Sequence, residues 1–339
     1  MSDLDAEFEA YRKDADTKAA LNRALRQLKE ARTRKEELVT AVYQAARDAA
    51  EAAPFPVVPK PKADRRGGPE TAIVLLSDWQ LGKKTPSYGS DICALRMEQM
   101  ADRVSRITDV QRSDHPVRDC RVYLLGDLVE GELIFPGQAH MIDASLFVQV
   151  MVNGPAILGQ FITRMLAHFE TVTVVGVIGN HGALGGRARR DYNPESNADA
   201  MMYEATRMRF DHKRLTWESA FQPGERAWYA VDAVGERRWF LFHGDQVKGG
   251  QLGFPWYGFG KRIAGWANLY GFDYAVSGHF HTPVRGLYAA GSVTHWGNGS
   301  TESDNTYAAE NMAAAGTPCQ WLLFQSAKRV TAEYNLTLD

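Results

Sequence analysis

The sequence lacks the features that would assign it to several large classes of protein. Its 339 residues include three cysteines, Cys93, Cys120 and Cys319. They are too few and too scattered for a disulfide framework or a thiolate zinc site. No run reaches about 18 consecutive apolar residues, and the charged N-terminus has no apolar segment of the kind that a signal peptide needs. We therefore expect a soluble, cytoplasmic protein with no membrane span.

An excess of charge of one sign is also missing. The chain has 39 basic and 41 acidic side chains, a formal net charge of −2, so it cannot coat nucleic acid by bulk charge, and any such contact must be local. Hydrophobic residues make up 45% of the chain, which is enough to bury a full core and excludes global disorder. The length fits one large domain or two smaller ones.

Residues 1–53 contain neither glycine nor proline and are rich in alanine and charged residues. Apolar residues recur near a 3.5-residue spacing at Leu21, Leu25 and Leu28, although Arg32 and Lys35 interrupt the pattern. Two interpretations stay open: a solvated surface helix packed on its own domain, or a short coiled coil that makes the protein a homo-oligomer.

Residues 54–70 follow as a predicted extended linker, because 54–69 hold five prolines and several basic residues. Residues 71–339 then form the predicted catalytic domain. Here short apolar, β-branched runs alternate with turns and helical stretches, which predicts an α/β fold with strands buried on both faces. The runs cover 72–76, 122–125, 172–178, 239–242 and 274–276, and 321–325 with 330–337 predict a closing pair of strands.

Each of the five internal runs ends on a polar cluster. The clusters read Ser-Asp-Trp-Gln at 77–80, Gly-Asp-Leu-Val-Glu at 126–130, Gly-Asn-His at 179–181, His-Gly-Asp at 243–245 and Gly-His-Phe-His at 278–281. Strand ends at one edge of an α/β sheet converge on a single crevice, so these side chains should point to one place. A donor set of nitrogen and oxygen without thiolate suits Mn²⁺, Zn²⁺ or iron.

These motifs, in this order, resemble the calcineurin-like metallophosphoesterase superfamily over residues 71–339. The resemblance implies a four-layer α-β-β-α sandwich and a two-metal-dependent phosphodiester hydrolase that uses a metal-bridging hydroxide. It implies that Asp78, Gln80 and His281 hold one ion, that Asn180, His243 and His279 hold the other, and that Asp127 bridges the two. His181 would stand beside the metals and assist catalysis.

Two departures from the family pattern affect the predicted site. Gln80 stands where the family usually has histidine, and a neutral carbonyl oxygen is a harder ligand, so the first ion should bind more weakly and favour Mn²⁺; alternatively, Gln80 is not a direct ligand. Gly182 stands where an acidic residue commonly follows Gly-Asn-His. The related phosphoprotein phosphatases orient the histidine with a carboxylate three residues after the bridging aspartate, which here predicts a His181–Glu130 pair.

The substrate is less defined by sequence. Arg187, Arg189 and Arg190 follow the Gly-Asn-His turn closely, and arginine forks suit phosphodiester oxygens. Aromatic residues alternate with Lys261 and Arg262 over 254–262, a pattern that fits either single-strand binding or ordinary core packing. Residues 135–140 are expected to form a loop near the site.

Within the superfamily, the glycine and basic residues after Gly-Asn-His look most like phage and bacterial relatives of the SbcD-type DNA-repair exonucleases. We therefore predict a DNA nuclease. Two alternatives remain: a phosphatase or phosphodiesterase for nucleotides, cyclic nucleotides or phosphoprotein, and a catalytically silent interaction module.

Overall fold

The computed structural model describes residues 67–132, 134–184, 196–210, 212–219, 228–248, 253–304 and 316–338, with scattered residues between 18 and 37. The chain divides into two compact units, Met1–Asp64 and Arg65–Asp339. In the first unit the described residues are helical. Most of the predicted N-terminal helix and residues 54–66 of the predicted linker lie outside the described residues.

The second unit alternates strands and helices, as the sequence predicts. Its strands are β1 (Glu70–Leu76), β2 (Val117–Leu124), β3 (Thr171–Gly176), β4 (Leu215–Ser219), β5 (Tyr229–Val234), β6 (Arg237–Phe242), β7 (Tyr274–Ser277), β8 (Val284–Tyr288), β9 (Val293–Gly297), β10 (Cys319–Gln325) and β11 (Val330–Thr337). Its longer helices are α1 (Ser90–Gln111), α2 (Gly154–His168), α3 (Ala198–Arg207) and α4 (Trp256–Tyr270). A helical turn at Leu146–Val148 and a π-helical turn at Gln149–Asn153 lead directly into α2.

The strands form two sheets. The first has the order β11-β10-β1-β2-β3-β4, and the second has the order β5-β6-β7-β9-β8. Strands β1 to β4 are parallel, as are β6, β7 and β9, whereas the remaining pairs are antiparallel. The predicted closing pair is confirmed as β10 and β11, which run antiparallel.

Three hydrophobic clusters separate the layers. One cluster packs α1, α2 and α3 on the outer face of the first sheet, and another packs α4 on the outer face of the second. Between the sheets, Leu75 and Tyr123 of the first sheet contact a cluster that includes Trp239, Val276 and Trp296 of the second. Alternate residues of β1 enter different clusters, because successive side chains in a strand point to opposite faces. The predicted α-β-β-α sandwich is confirmed.

One helical stretch, Leu146–His168, is long and apolar enough to cross a membrane by length and composition. The expectation from consecutive apolar residues overlooked it, because polar residues are spaced along it. Its side chains at Leu158, Phe161, Ile162 and Met165 are fully buried against the first sheet. It therefore serves as a core helix of the sandwich.

The parallel strands of both sheets place their carboxyl ends on one edge of the sandwich. Hydrogen bonds from Asp78 N to Gly126 O and from Gly278 N to His243 O tie neighbouring loops together within each sheet, at 3.0 and 2.8 Å. A bond from His279 N to Asp78 then joins the loops of the two sheets. The five polar clusters thus meet at this edge.

We predict that the contact between the sheets provides much of the stability. Trp239 is fully buried between them, and its Nε1 donates to Gln325 Oε1 at 2.7 Å. Trp239→Ala should lower the free energy of unfolding by about 3–5 kcal/mol, because it leaves a cavity and an unsatisfied amide. Urea unfolding measures this, with Leu95→Ala on the exposed face of α1 as the control. Equal losses in the two variants would contradict the prediction.

Candidate metal centre

The residues at the strand ends have strained backbones. Among the described residues, positive φ values of 48–73° occur at five of the predicted site residues: Asp78, Gln80, Asp127, His279 and His281. Residues other than glycine rarely adopt this left-handed backbone conformation, and such backbone strain is concentrated at functional sites. Five predicted site residues therefore share a backbone conformation that is typical of functional sites.

Two glycines allow these loops to approach one another. A Cβ at Gly179 would lie 2.1 Å from Asp127 Oδ1, and a Cβ at Gly278 would lie 2.4 Å from Asp78 Oδ2. Any side chain at either position would displace a carboxylate. The glycines in the Gly-Asn-His and Gly-His-Phe-His motifs are therefore required by close packing.

Asp127, in the loop after β2 of the first sheet, lies against two histidines from loops of the second sheet. Its Oδ2 lies 2.9 Å from His243 Nε2, and ligand atoms of Asp127, His243 and His279 all lie within 4.8 Å of one another. Burial would raise the pKa of Asp127, but His243 and His181 hold that pKa well below its usual range. Burial, with His243 nearby, also lowers the pKa of His279 well below its usual value. An ionised carboxylate and a neutral imidazole are the forms that bind metal ions.

A second group of donors lies beside Asp78. His281 Nε2 is 3.3 Å from Asp78 Oδ1 and 3.4 Å from Gln80 Nε2. Asp78 and Gln80 are completely buried, and His281 is nearly so. The predicted partners Asp78, Gln80 and His281 are thus adjacent, although about 200 residues separate the first two from the third.

Two buried amide oxygens point to what the cluster would bind. Gln80 Oε1 and Asn180 Oδ1 have no hydrogen-bond partner among the described residues. Leaving such an oxygen unsatisfied in the interior costs about 1–3 kcal/mol, whereas a divalent cation would satisfy it. Carboxylate, imidazole and amide donors together fit hard or borderline divalent ions, so these residues suit a metal centre.

His181 lies at the edge of this cluster. Its Nδ1 is 3.2 Å from Glu130 Oε2, the neighbour that the sequence predicted, and 3.1 Å from the Glu130 carbonyl oxygen. Burial lowers the pKa of His181, but Glu130 and Asp127 outweigh it and raise this pKa to about 9. In the loop predicted at 135–140, Gln138 Nε2 donates to Glu130 Oε1 at 3.0 Å and so fixes the carboxylate.

Asp199 is an important residue that the sequence analysis missed. Its buried carboxylate accepts four backbone N–H bonds, from Asp127, Leu128 and Val129 in one loop and from Gly179 in the next, at 2.9–3.2 Å. Burial and Asp127 raise the pKa of Asp199 to about 6. One carboxylate thereby holds two ligand-bearing loops in register.

Glu302 was also missed. It follows β9, a sixth strand whose end joins the same edge, and its Oε1 lies 2.5 Å from His281 Nδ1. The sequence carried a signal for both carboxylates: Asn197 and Asp199 open a helix, and Asn298–Glu302 is a polar cluster after an apolar run, like the five that were recognised.

No contact in the described part of the chain joins the predicted substrate-binding residues to this cluster. Arg187, Arg189 and Arg190 lie outside the described residues. Lys261 and Arg262 lie on α4 and are exposed. The aromatic stretch divides: Phe259 is buried in the core, whereas Trp256 and Tyr257 are 51% and 84% exposed. Phe254 packs between Phe259 and Phe280, the residue between His279 and His281.

Comparisons with known proteins give only distant structural likenesses. No family model and no curated protein matches the chain. Among solved structures, it resembles a predicted phosphoesterase from Streptococcus pneumoniae (13% identity, 78% of this chain and 98% of that one, TM-score 0.32). It also resembles Vps29 from Entamoeba histolytica in complex with zinc (14%, 78% and 92%, TM-score 0.37) and an archaeal phosphodiesterase (11%, 78% and 99%, TM-score 0.35). Because identity and TM-score are low, the activity must be argued from the chain's own residues.

We predict that Asp199 controls metal binding without touching the metal. Asp199→Asn puts an NH₂ group against two of the four N–H donors, so the loops carrying Asp127 and Asn180 should separate. Metal affinity should fall about 10–100-fold, the usual effect of losing a residue that supports ligands. Calorimetric titration with Mn²⁺ measures it, with Asp102→Asn on the exposed face of α1 as the control. Equal affinities in the two variants would refute this role.

Proposed function

We propose that this chain is a two-metal-dependent phosphodiester hydrolase. The observation that carries the proposal is the convergence of Asp127, His243 and His279 beside Asp78, Gln80 and His281, together with two buried amide oxygens that lack a partner in the described part of the chain. Structural networks do not need strained backbone at five donor residues, whereas a preorganised metal centre does.

The donors divide into two sets. In the proposal, Asp78, Gln80 and His281 hold the first ion, Asn180, His243 and His279 hold the second, and Asp127 is shared. The donor set is nitrogen and oxygen, and the three cysteines are buried and free elsewhere. Mn²⁺ fits best because Gln80 adds a hard oxygen donor, and Zn²⁺ and iron are the alternatives.

The protein residues then have distinct tasks. Two divalent ions, when bound, lower the pKa of a water to near neutrality and stabilise the attacking and leaving oxygens. His181 stands beside the centre with its ring held by Glu130, so it can donate a proton to the leaving oxygen or stabilise negative charge there. Glu130 and Gln138 keep that ring oriented.

We predict a catalytic defect, not a binding defect, when His181 is removed. His181→Ala should reduce kcat on bis-p-nitrophenyl phosphate about 10²–10⁴-fold, the usual contribution of a positioned acid or base, while bound Mn²⁺ stays unchanged. Glu130→Gln should reduce it less, because that residue only orients the ring.

The control for this pair is His140→Ala, which removes an exposed histidine from the neighbouring loop. Metal content and kcat are measured on the same samples. Loss of metal in His181→Ala would mean that His181 is a ligand, and full activity of wild type after exhaustive chelation would contradict the proposed function.

The substrate that we propose is DNA, in a nuclease or exonuclease reaction. The support is proximity in sequence, since Arg187, Arg189 and Arg190 begin six residues after His181. Trp256 and Tyr257 add exposed aromatic rings, on which bases could stack, one helical turn before Lys261 and Arg262. A nucleic-acid strand could bind these residues through its phosphates, which would contact the basic side chains, and through its bases, which would stack on the aromatic rings.

We predict that the three arginines contribute salt-dependent binding. Their triple replacement by alanine should flatten the salt dependence of single-stranded DNA cleavage by about 0.7 log units for each phosphate that an arginine no longer neutralises. Turnover of bis-p-nitrophenyl phosphate should barely change, since a small diester has no extended phosphate backbone to contact.

The matched control replaces Arg106, Arg118 and Arg238, three exposed arginines, so the net charge is the same in both variants. An unchanged salt slope in the Arg187, Arg189 and Arg190 variant would favour the alternative, a phosphatase or phosphodiesterase for nucleotides, cyclic nucleotides or phosphoprotein. A catalytically silent interaction module would hydrolyse neither diester nor monoester with any metal.

The proposal also covers the oligomeric state of the protein and its cellular compartment. We propose a homo-oligomer formed through residues 1–53, and we place the protein in the cytoplasm without a membrane contact. The broken apolar stripe in residues 1–53 supports the first statement, and the buried, unbridged thiols are compatible with the second.

A further inference from the structure

Glu302 places its carboxylate against His281, one of the residues proposed to hold the first ion. It is 5% exposed, and its two oxygens face different partners. Oε1 lies 2.5 Å from His281 Nδ1, and Oε2 lies 2.5 Å from Lys83 Nζ. His281 turns its other nitrogen, Nε2, toward Asp78 and Gln80. Glu302 therefore contacts one side of the His281 ring, and the proposed ligands Asp78 and Gln80 lie on the other side.

The histidine of the other half has a different supporting group. His243 Nδ1 lies 2.7 Å from the carbonyl oxygen of Leu125, a neutral acceptor. A carboxylate accepts the Nδ1 proton more strongly than a carbonyl does, and it makes the opposite nitrogen a better electron donor. Of these two histidines, His281 is thus the one with the more basic support.

The difference between the groups that support His281 and His243 can be related to Gln80. It supplies a neutral amide oxygen, so the set of Asp78, Gln80 and His281 has one imidazole, whereas His243 and His279 provide two on the other side. We infer that Glu302, acting through His281, compensates for Gln80 and makes the first ion bind with an affinity close to that of the second. Glu302 is a positioning residue in this role, and the inference rests on the proposed two-metal function.

The surroundings hold Glu302 in place for this role. Its N donates to Ser300 Oγ, and Ser300 Oγ donates in turn to the carbonyl oxygen of Asp78. Lys83 N donates to the carbonyl oxygen of Gln80, so the counter-ion of Glu302 belongs to the same loop as the proposed ligands. The partly buried Lys83 pairs with Glu302, so the buried carboxylate is not left as a lone charge, which would be costly.

The test is a double-mutant cycle on metal binding, measured by calorimetric titration of the full chain with Mn²⁺. Wild type should bind two ions. Glu302→Gln should weaken one of them about 10–100-fold and leave the other unchanged. Gln80→His alone should tighten one ion, and adding Gln80→His to Glu302→Gln should restore two-ion binding. The control is Glu333→Gln, which removes a partly exposed carboxylate that pairs with Arg285.

Electron paramagnetic resonance gives a second readout, because a pair of adjacent Mn²⁺ ions couples magnetically and a single ion does not. At a metal concentration that fills both sites in wild type, Glu302→Gln should show the single-ion signal, and the Gln80→His addition should bring back the coupled one. Two tight ions in Glu302→Gln would overturn the inference. Equal weakening of both ions, or no rescue by Gln80→His, would show a merely structural role and would also overturn it.

These failures differ from failure of the proposed function, in which wild type itself binds fewer than two ions. Thermal unfolding of each variant shows whether it folds. If Glu302→Gln does not fold, Gln80→His in the otherwise wild-type chain still decides the question: an unchanged pair of affinities would contradict the claim that Gln80 limits the first ion.

Discussion

The buried carboxylate of Asp127 is the constraint around which the edge of the sandwich that carries the polar clusters is organised. One of its oxygens faces His243 of the second sheet, and the other accepts the backbone N–H of His181 in the first. A charge with 1% exposure persists only if it is paired, so both sheets must deliver partners to the same point. The hydrophobic core between the two sheets holds the loops that carry these partners in position.

Bringing so many donors together strains the chain, and other residues offset that strain. Left-handed backbone at Asp127 is unfavourable in isolation, and Asp199 stabilises this loop by accepting N–H bonds from residues 127–129 and a fourth from Gly179 in the neighbouring loop. The same logic applies on the far side, where Glu302 and Lys83 hold His281. Asp199 and Glu302 therefore support the candidate metal centre from two sides.

The sequence predicted the fold class and the composition of the edge, because apolar runs that end on polar clusters follow from simple periodicity. It also predicted the contact of His181 with Glu130, through the resemblance to phosphoprotein phosphatases. Local patterns marked Asp199 at a helix start and Glu302 in a polar cluster after a strand, but they could not predict which groups either carboxylate contacts. Their roles depend on where a helix start and a sixth strand come to lie, and sheet order is a long-range property that no local pattern encodes.

The aromatic stretch at 254–262 shows another limit of local patterns. Phe259 packs into the core while Tyr257 faces solvent, and only the helical phase of α4 separates the two environments. Alternation of aromatic and basic residues suits a binding surface and a half-buried helix equally well. The packing of α4 against the second sheet decides which side chains remain available.

In the proposed function, two ions share Asp127. The most direct test is anomalous diffraction from a crystal of the full chain grown with Mn²⁺. We expect two peaks about 3.5–4 Å apart on either side of the Asp127 carboxylate, one beside Gln80 and His281 and the other beside Asn180, His243 and His279. A single peak, or none within coordination distance of Asp127, would contradict the account.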